Sequence, residues 1–167
     1  MTLLSHAHTV VAPRADTLTD STAPKAYLIG LSTFQQQPLL GTYDQGNLRL
    51  NDCGLIVADE WVRSAASRKG IAIDAWSITP NRLQSIVFLD MPTTAAVGLA
   101  GGMTGHSSQK PWLLSSFIAS FKAAAAKRIN LRLNQVGQSV WQRNYEEHLI
   151  VDEAHLCEVR TQLQSVR

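Results

Sequence analysis

The sequence predicts a single α+β domain whose ferredoxin-like antiparallel sheet has helices packed on it. Two observations lead to this fold class. Alternating apolar residues, typical of strands, give way more than once to apolar residues at helical spacing. The elements then follow as strand, helix, strand, strand, helix, short strand and helix, and 167 residues fit one domain of about 100–200 residues. We expect the helices to lie on one face of the sheet.

The chain begins with a stretch that has no regular apolar pattern. Residues 1–24 are rich in Thr, Ser, Ala and Pro and predict a flexible N-terminal arm, followed by the domain at residues 25–167. Residues 27–34 start apolar and then alternate, which predicts the first strand. Gly and Pro punctuate residues 35–50, which we therefore interpret as a loop.

A helix and a β-hairpin are predicted next. Asn51 is a suitable N-cap, and apolar residues recur at helical spacing until the helix ends near Gly70. Residues 71–78 and 82–89 predict two strands, and a Pro-Asn turn joins them into a hairpin.

The second half of the chain contains a long loop and two further helices. Residues 91–111 include several glycines, and a loop of this length is usually functional or mobile. Residues 112–134 carry the clearest helical stripe of the sequence. Residues 140–150 predict a short extended segment, and Asp152 is placed to cap a last helix that runs to the C-terminus.

The composition excludes several classes of protein. A net charge of +2 neither demands nor excludes a nucleic-acid partner. Cys53 and Cys157 are far apart in the sequence and indicate neither a zinc site nor a disulfide framework. Residues 1–25 lack the basic start and apolar run of a signal peptide, and no apolar run approaches the ~18 residues of a membrane span. We expect a cytoplasmic protein that does not enter a membrane.

Four segments carry a resemblance to a known family. Residues 141–150 read WQRNYEEHLI, residues 121–130 read FKAAAAKRIN, and the looser patterns TF…PLLG and LN..G.IV..EW lie at residues 33–41 and 50–61. Together they resemble the REP-associated tyrosine transposases, which are single-tyrosine transposases of the HUH type. The resemblance spans roughly residues 27–160. It implies a ferredoxin-like fold, a single-stranded DNA partner that forms a hairpin or palindromic repeat, and a possible homodimer.

The resemblance also shows which catalytic residues this chain lacks. In the family, two histidines spaced His-x-His on a central strand hold Mg²⁺ or Mn²⁺, and a tyrosine on the last helix attacks the phosphorus. The matching stretch here reads TPNRLQ, so Arg82 and Gln84 replace both histidines, and Gln162 stands at the tyrosine position. Because arginine has no lone pair for a metal and an amide is no nucleophile, we expect no cofactor and no DNA cleavage.

Six basic residues are candidates for binding DNA. Arg82 either holds a DNA phosphate in place of the metal or is a product of neutral drift. The others lie on the predicted helix of residues 112–134 or in the WQRN motif, where a solvated surface is the alternative explanation of their charge. The full set is Arg82, Lys122, Lys127, Arg128, Arg132 and Arg143.

Three functions remain open at this point. The first is a transposase-family protein that binds hairpin DNA without cutting it, as a domesticated regulator would. The second is an active transposase with a non-standard nucleophile, for which Tyr145 is the residue to test, although a structural tyrosine is the simpler interpretation. The third is the product of a decaying gene that has no binding role.

Overall fold

The structure of the protein is a computed structural model, and the residues it describes are 24–90 and 112–165. The predicted arm, apart from its last residue, and the predicted loop of residues 91–111 lie outside the described residues. The described chain contains these helices and strands: β1 (Lys25–Ser32), β2 (Gly41–Asp44), β3 (Asn47–Leu50), α1 (Asp52–Ala66), β4 (Ile71–Thr79), β5 (Arg82–Leu89), α2 (Trp112–Leu133), β6 (Glu146–Ile150) and α3 (Glu153–Ser165).

Four of the strands form one antiparallel sheet in the order β4-β5-β1-β6. The chain therefore crosses from β1 through α1 to β4, returns through the predicted hairpin to β5, and crosses again through α2 to the edge strand β6. This is the ferredoxin-like arrangement, so the predicted α+β fold class is confirmed. None of the described helices is long and apolar enough to cross a membrane.

The helices lie on both faces of the sheet, so the prediction that they share one face is wrong. Tyr27 and Ile29 of β1 belong to a core cluster with α1 and α2, whereas Ala26 belongs to a separate cluster with Leu156 and Val159 of α3. Successive side chains of a strand point to opposite faces, and β1 is apolar on both of them. The apolar residues on the second face must be shielded from water, and α3 shields part of that face.

Local signals located the helix ends well. The Asn51 side chain accepts a hydrogen bond from the Gly54 amide at 3.0 Å, and the Asp152 carboxylate accepts one from the His155 amide at 2.8 Å. Both residues cap their helices as predicted. Helix α1 ends at Ala66, and Gly70, with φ of 78°, lies in the turn that leads into β4.

Two short elements differ from the prediction. The predicted loop of residues 35–50 contains a separate hairpin, β2 and β3, which turns at Gln45 and Gly46, both with positive φ. Its strands are four residues each and mostly exposed, so they carry no apolar alternation. The predicted extended segment of residues 140–150 is a strand only from Glu146, and Trp141 makes an isolated bridge to Thr33.

Candidate nucleic-acid interface

Arg82 and Gln84 lie on β5, one of the two central strands of the sheet. They share a strand face with Ile86, which packs in the cluster formed with α3. The positions that correspond to the family's histidines therefore face the same side of the sheet as the last helix. This is the arrangement that the resemblance implies for a metal and a nucleophile.

A row of residues crosses all four strands on this face. Ser77 of β4 pairs with Gln84 of β5, Gln84 pairs with Gly30 of β1, and Gly30 pairs with Glu146 of β6. We call these four residues the polar row. Ser77 is buried, and its hydroxyl has no hydrogen-bond partner among the described residues. Gly30 leaves space in the middle of the row because it has no side chain.

Arg82 extends across the polar row and forms an ion pair with Glu146. Its Nη2 lies 2.5 Å from Glu146 Oε2, and a Cβ placed on Gly30 would come within 2.5 Å of the same nitrogen. The side chains of Arg82 and Glu146 are 30% and 54% exposed, so the pair is accessible to solvent mainly from the Glu146 side. The Arg82 Nε is buried and has no partner among the described residues. The sequence does not reveal this pair, because the two residues are 64 positions apart in the chain.

Helix α3 contains no tyrosine. Leu156, Val159 and Leu163 are its buried residues, and Gln162 is exposed beside them, with its amide 3.5 Å from the Glu158 carboxylate. Arg160 joins the helix to β4 through an ion pair with Asp74 at 2.6 Å. Gln162 therefore stands on the helix that the resemblance assigns to the tyrosine, but an amide cannot attack phosphorus.

The residues on this face do not fit a divalent metal. Arg82 brings a fixed positive charge, which repels a cation, and its guanidinium has no lone pair to donate. Gln84 offers a single amide oxygen. The described residues contain no cluster of three or more His, Cys, Asp or Glu side chains that could hold a metal. We therefore derive no metal-dependent step for this chain.

Tyr145 lies on the other side of the sheet from Arg82. Its hydroxyl is 3.4 Å from the Ser115 hydroxyl on α2, and α2 packs on the face opposite the polar row. Burial raises the pKa of Tyr145, which favours the protonated and less nucleophilic phenol. Both observations favour the structural interpretation of this tyrosine.

Two of the candidate DNA-binding residues join the two helices of the main core. Arg128 of α2 contacts Asp59 at 2.6 Å and Glu60 at 2.8 Å on α1, and Arg132 pairs with Asp52. The Glu60 and Asp59 carboxylates accept hydrogen bonds from Arg128 and raise its pKa. Arg128 and Arg132 share one helical face, as the sequence predicts, but that face is turned towards acidic residues of α1.

Lys122 holds the WQRN segment in place. Its ammonium donates to the carbonyl of Gln142 at 2.5 Å and to that of Arg143 at 3.1 Å, and burial lowers its pKa. In contrast, Lys127 and Arg143 are exposed, and neither has an ion-pair partner among the described residues. Of the six candidates, these two are the most accessible to a phosphate.

Replacing Lys122 with methionine is expected to lower the free energy of unfolding by about 1–2 kcal/mol, because two carbonyls lose a charged donor. Urea denaturation measures this change. The matched control is Lys127→Met, which removes the same charge from an exposed position of α2 and should change stability by less than about 0.5 kcal/mol. Equal effects of the two variants would contradict the structural role of Lys122.

The segments that carry the family resemblance contact one another. The Thr33 and Leu40 amides donate to the carbonyls of Asn81 and Pro80, so the TF…PLLG pattern holds the Pro-Asn turn before Arg82. The Asn51 amide donates in turn to the Leu40 carbonyl. Through these backbone hydrogen bonds, the residues of the family pattern support the framework around the polar row.

The aromatic residues of the motifs also meet in the core. Trp61 is 4.8 Å from Phe121 between ring centroids, and Phe121 is 5.7 Å from Trp141. Trp61 and Trp141 are buried and pack in the core, whereas Trp112 is 75% exposed.

Several known proteins are similar to this chain. No family model matches the chain. An uncharacterized protein from Haemophilus influenzae is 26% identical over 144 residues, which are 83% of this chain and 78% of that protein. A candidate transposase from Deinococcus radiodurans has a TM-score of 0.46 at 14% identity, covering 93% of this chain and 97% of that one. A REP-associated tyrosine transposase, solved bound to a REP hairpin, has a TM-score of 0.47 at 13% identity, covering 86% of this chain.

These solved transposases resemble this chain in fold. The chain spans 65% of the length of the REP-associated transposase. At 13% and 14% sequence identity, the similarity to these two structures concerns the fold alone. The REP hairpin is bound in the structure of the REP-associated transposase.

Proposed function

We propose that the protein is a relative of the REP-associated tyrosine transposases that binds single-stranded hairpin DNA without cutting it. One observation carries the proposal. On the sheet face where the resemblance places a metal and a nucleophile, this chain has Arg82, Gln84 and an α3 helix without tyrosine. The contacts among the family motifs that build this face are present. The chain therefore combines the framework with a changed set of reactive side chains.

The change at Arg82 suits phosphate binding better than phosphate cleavage. A guanidinium supplies a permanent positive charge and donates charge-assisted hydrogen bonds to phosphate oxygens. Cleavage would further need a nucleophile close to the phosphorus, and the resemblance places Gln162 in that role. Binding without bond breaking is the activity that these side chains support.

Exposed cations elsewhere favour a second zone of phosphate contact. Arg143 lies beside a shallow depression that Asn144, Tyr145 and Glu147 also line, and Lys122 holds the backbone at this point. Lys127 projects from the exposed side of α2. We propose that Arg143 and Lys127 contact backbone phosphates, whereas Arg128 and Arg132 act first as links between the helices. The homodimer implied by the resemblance is a further proposal, which light scattering of the purified protein would test.

The decisive experiment incubates the protein with an end-labelled single-stranded DNA hairpin and Mn²⁺ across a salt series, on native and denaturing gels. We expect a shifted band on the native gel alone. The shift should weaken as salt rises, because phosphate contacts release counterions. Arg82→Ala should weaken it further.

Each other outcome points to a different function. A band that survives denaturation would indicate a covalent intermediate, and the protein would then be an active transposase with an unrecognised nucleophile. An affinity for the hairpin no better than for unstructured single strands would favour the decaying gene product. An Arg82→Ala variant that binds as well as the parent would remove Arg82 from the phosphate site.

A further inference from the structure

The proposed phosphate contact depends on the guanidinium of Arg82, which already forms an ion pair with Glu146. Glu146 Oε2 lies 2.5 Å from Arg82 Nη2, so the protein's own carboxylate takes up the guanidinium. Carboxylate and phosphate oxygens bind guanidinium in the same manner, through charge-assisted hydrogen bonds. A DNA phosphate and Glu146 therefore compete for Arg82.

We propose that Glu146 is an intramolecular latch on the anion site of the polar row, and that a phosphodiester binds by displacing it. This inference rests on the proposed function, since it adds a regulating residue to the same site. Glu146 is 54% exposed and lies on the edge strand β6, so its carboxylate can rotate into solvent. Arg82 is 30% exposed and starts on a central strand, so its guanidinium stays at the row after Glu146 leaves.

Two further polar groups on the same face of the sheet lack a hydrogen-bond partner among the described residues. The Arg82 Nε and the Ser77 hydroxyl are buried and have no partner among the described residues. Buried donors without partners are rare in folded proteins, so two of them on one face of the sheet indicate a site that accepts a ligand or water. A phosphate bound to the Arg82 guanidinium has more oxygens than the Glu146 carboxylate. The additional oxygens can accept hydrogen bonds from the Arg82 Nε and the Ser77 hydroxyl.

Gly30 leaves room for the Arg82 side chain beside Glu146. A Cβ at this position would come within 2.5 Å of Arg82 Nη2 and 3.2 Å of its Cζ. A side chain at position 30 would displace the guanidinium from its present path across β1. Gly30 therefore favours the pair between Arg82 of β5 and Glu146 of β6.

The test compares Glu146→Gln with Glu153→Gln, each in the parent and in an Arg82→Ala background. Both variants remove one negative charge from an exposed carboxylate, but Glu153 lies in the first turn of α3 and forms no ion pair among the described residues. The first readout is the dissociation constant for an end-labelled single-stranded hairpin. The second is the response of the Arg82 Nε–H resonance to inorganic phosphate in the ¹⁵N-labelled protein.

We expect Glu146→Gln to bind the hairpin about two- to fivefold more tightly than Glu153→Gln, the range for release of a partly exposed ion pair. This advantage should vanish in the Arg82→Ala background. Equal affinities of the two variants, or an advantage that persists without Arg82, would overturn the latch. If no variant binds the hairpin, the proposed function fails. The phosphate titration then tests by itself whether Glu146 competes with phosphate for Arg82. A response of Arg82 at lower phosphate concentration in Glu146→Gln than in Glu153→Gln supports the latch, and equal responses refute it.

Discussion

Replacing Trp61 with alanine is expected to lower the free energy of unfolding by about 3–5 kcal/mol, as for other buried aromatic residues. Trp61 has no solvent exposure, and its ring lies 5.0 Å from Phe117 and 4.8 Å from Phe121 between centroids. Its Nε1 donates to the Ser85 hydroxyl at 3.2 Å. The variant therefore loses a large apolar contact between α1, α2 and the sheet, and leaves Ser85 buried without that partner. Urea denaturation followed by circular dichroism measures the loss.

The neighbouring residue on the same helix provides the control. Val62 is 39% exposed, so Val62→Ala should change the free energy of unfolding by no more than about 0.5 kcal/mol. A Trp61→Ala protein as stable as Val62→Ala would mean that α1 does not pack on the sheet as described.

Replacing Gly54 with alanine is expected to destabilise the protein by about 3 kcal/mol, at the upper end of the usual cost of overpacking. The sign is opposite to that expected from helix propensity, which favours alanine over glycine by about 1 kcal/mol in a helix interior. A Cβ on Gly54 would overlap the backbone carbonyl of Leu40 and approach Leu50 Cβ at 3.1 Å. A backbone oxygen cannot move away as a side chain can, so the helix or the segment that holds the Pro-Asn turn must shift.

Thermal denaturation of Gly54→Ala beside Leu55→Ala measures this effect. Leu55 is 58% exposed in the same helical turn, and its truncation should leave stability within about 0.5 kcal/mol of the parent. A Gly54→Ala protein that is more stable than the parent would show that propensity outweighs the close approach to Leu40.

The family motifs inform the fold more than the activity. Gly54, Trp61, Phe121 and Lys122 all lie in matched segments, and each makes a contact that holds the framework together. Arg82, Gln84 and Gln162, at the positions that the resemblance assigns to catalysis, are not among the buried residues of the core. The matched residues that pack the domain are therefore a different set from those three.

The candidate site was predictable only in part. The sequence placed Arg82 and Gln84 on one face of a strand, since residues two apart always share a face. It offered no means of assigning a partner to Arg82, because Glu146 is 64 residues away in the chain. Arg128 and Arg132 were predicted to share a helical face, and they do, but Asp59 and Asp52 on α1 became their partners through the packing of the two helices.

The sequence by itself determined the α+β class, the order of the main elements and the caps at Asn51 and Asp152, because these depend on residues within a few positions of one another. Only the tertiary structure decided that α3 covers part of the second face of the sheet and that Arg82 forms an ion pair with Glu146 across Gly30. Both depend on how strands distant in sequence are ordered in the sheet. The physical reason is that β5, β1 and β6 become neighbours through backbone hydrogen bonds that no local pattern of side chains specifies.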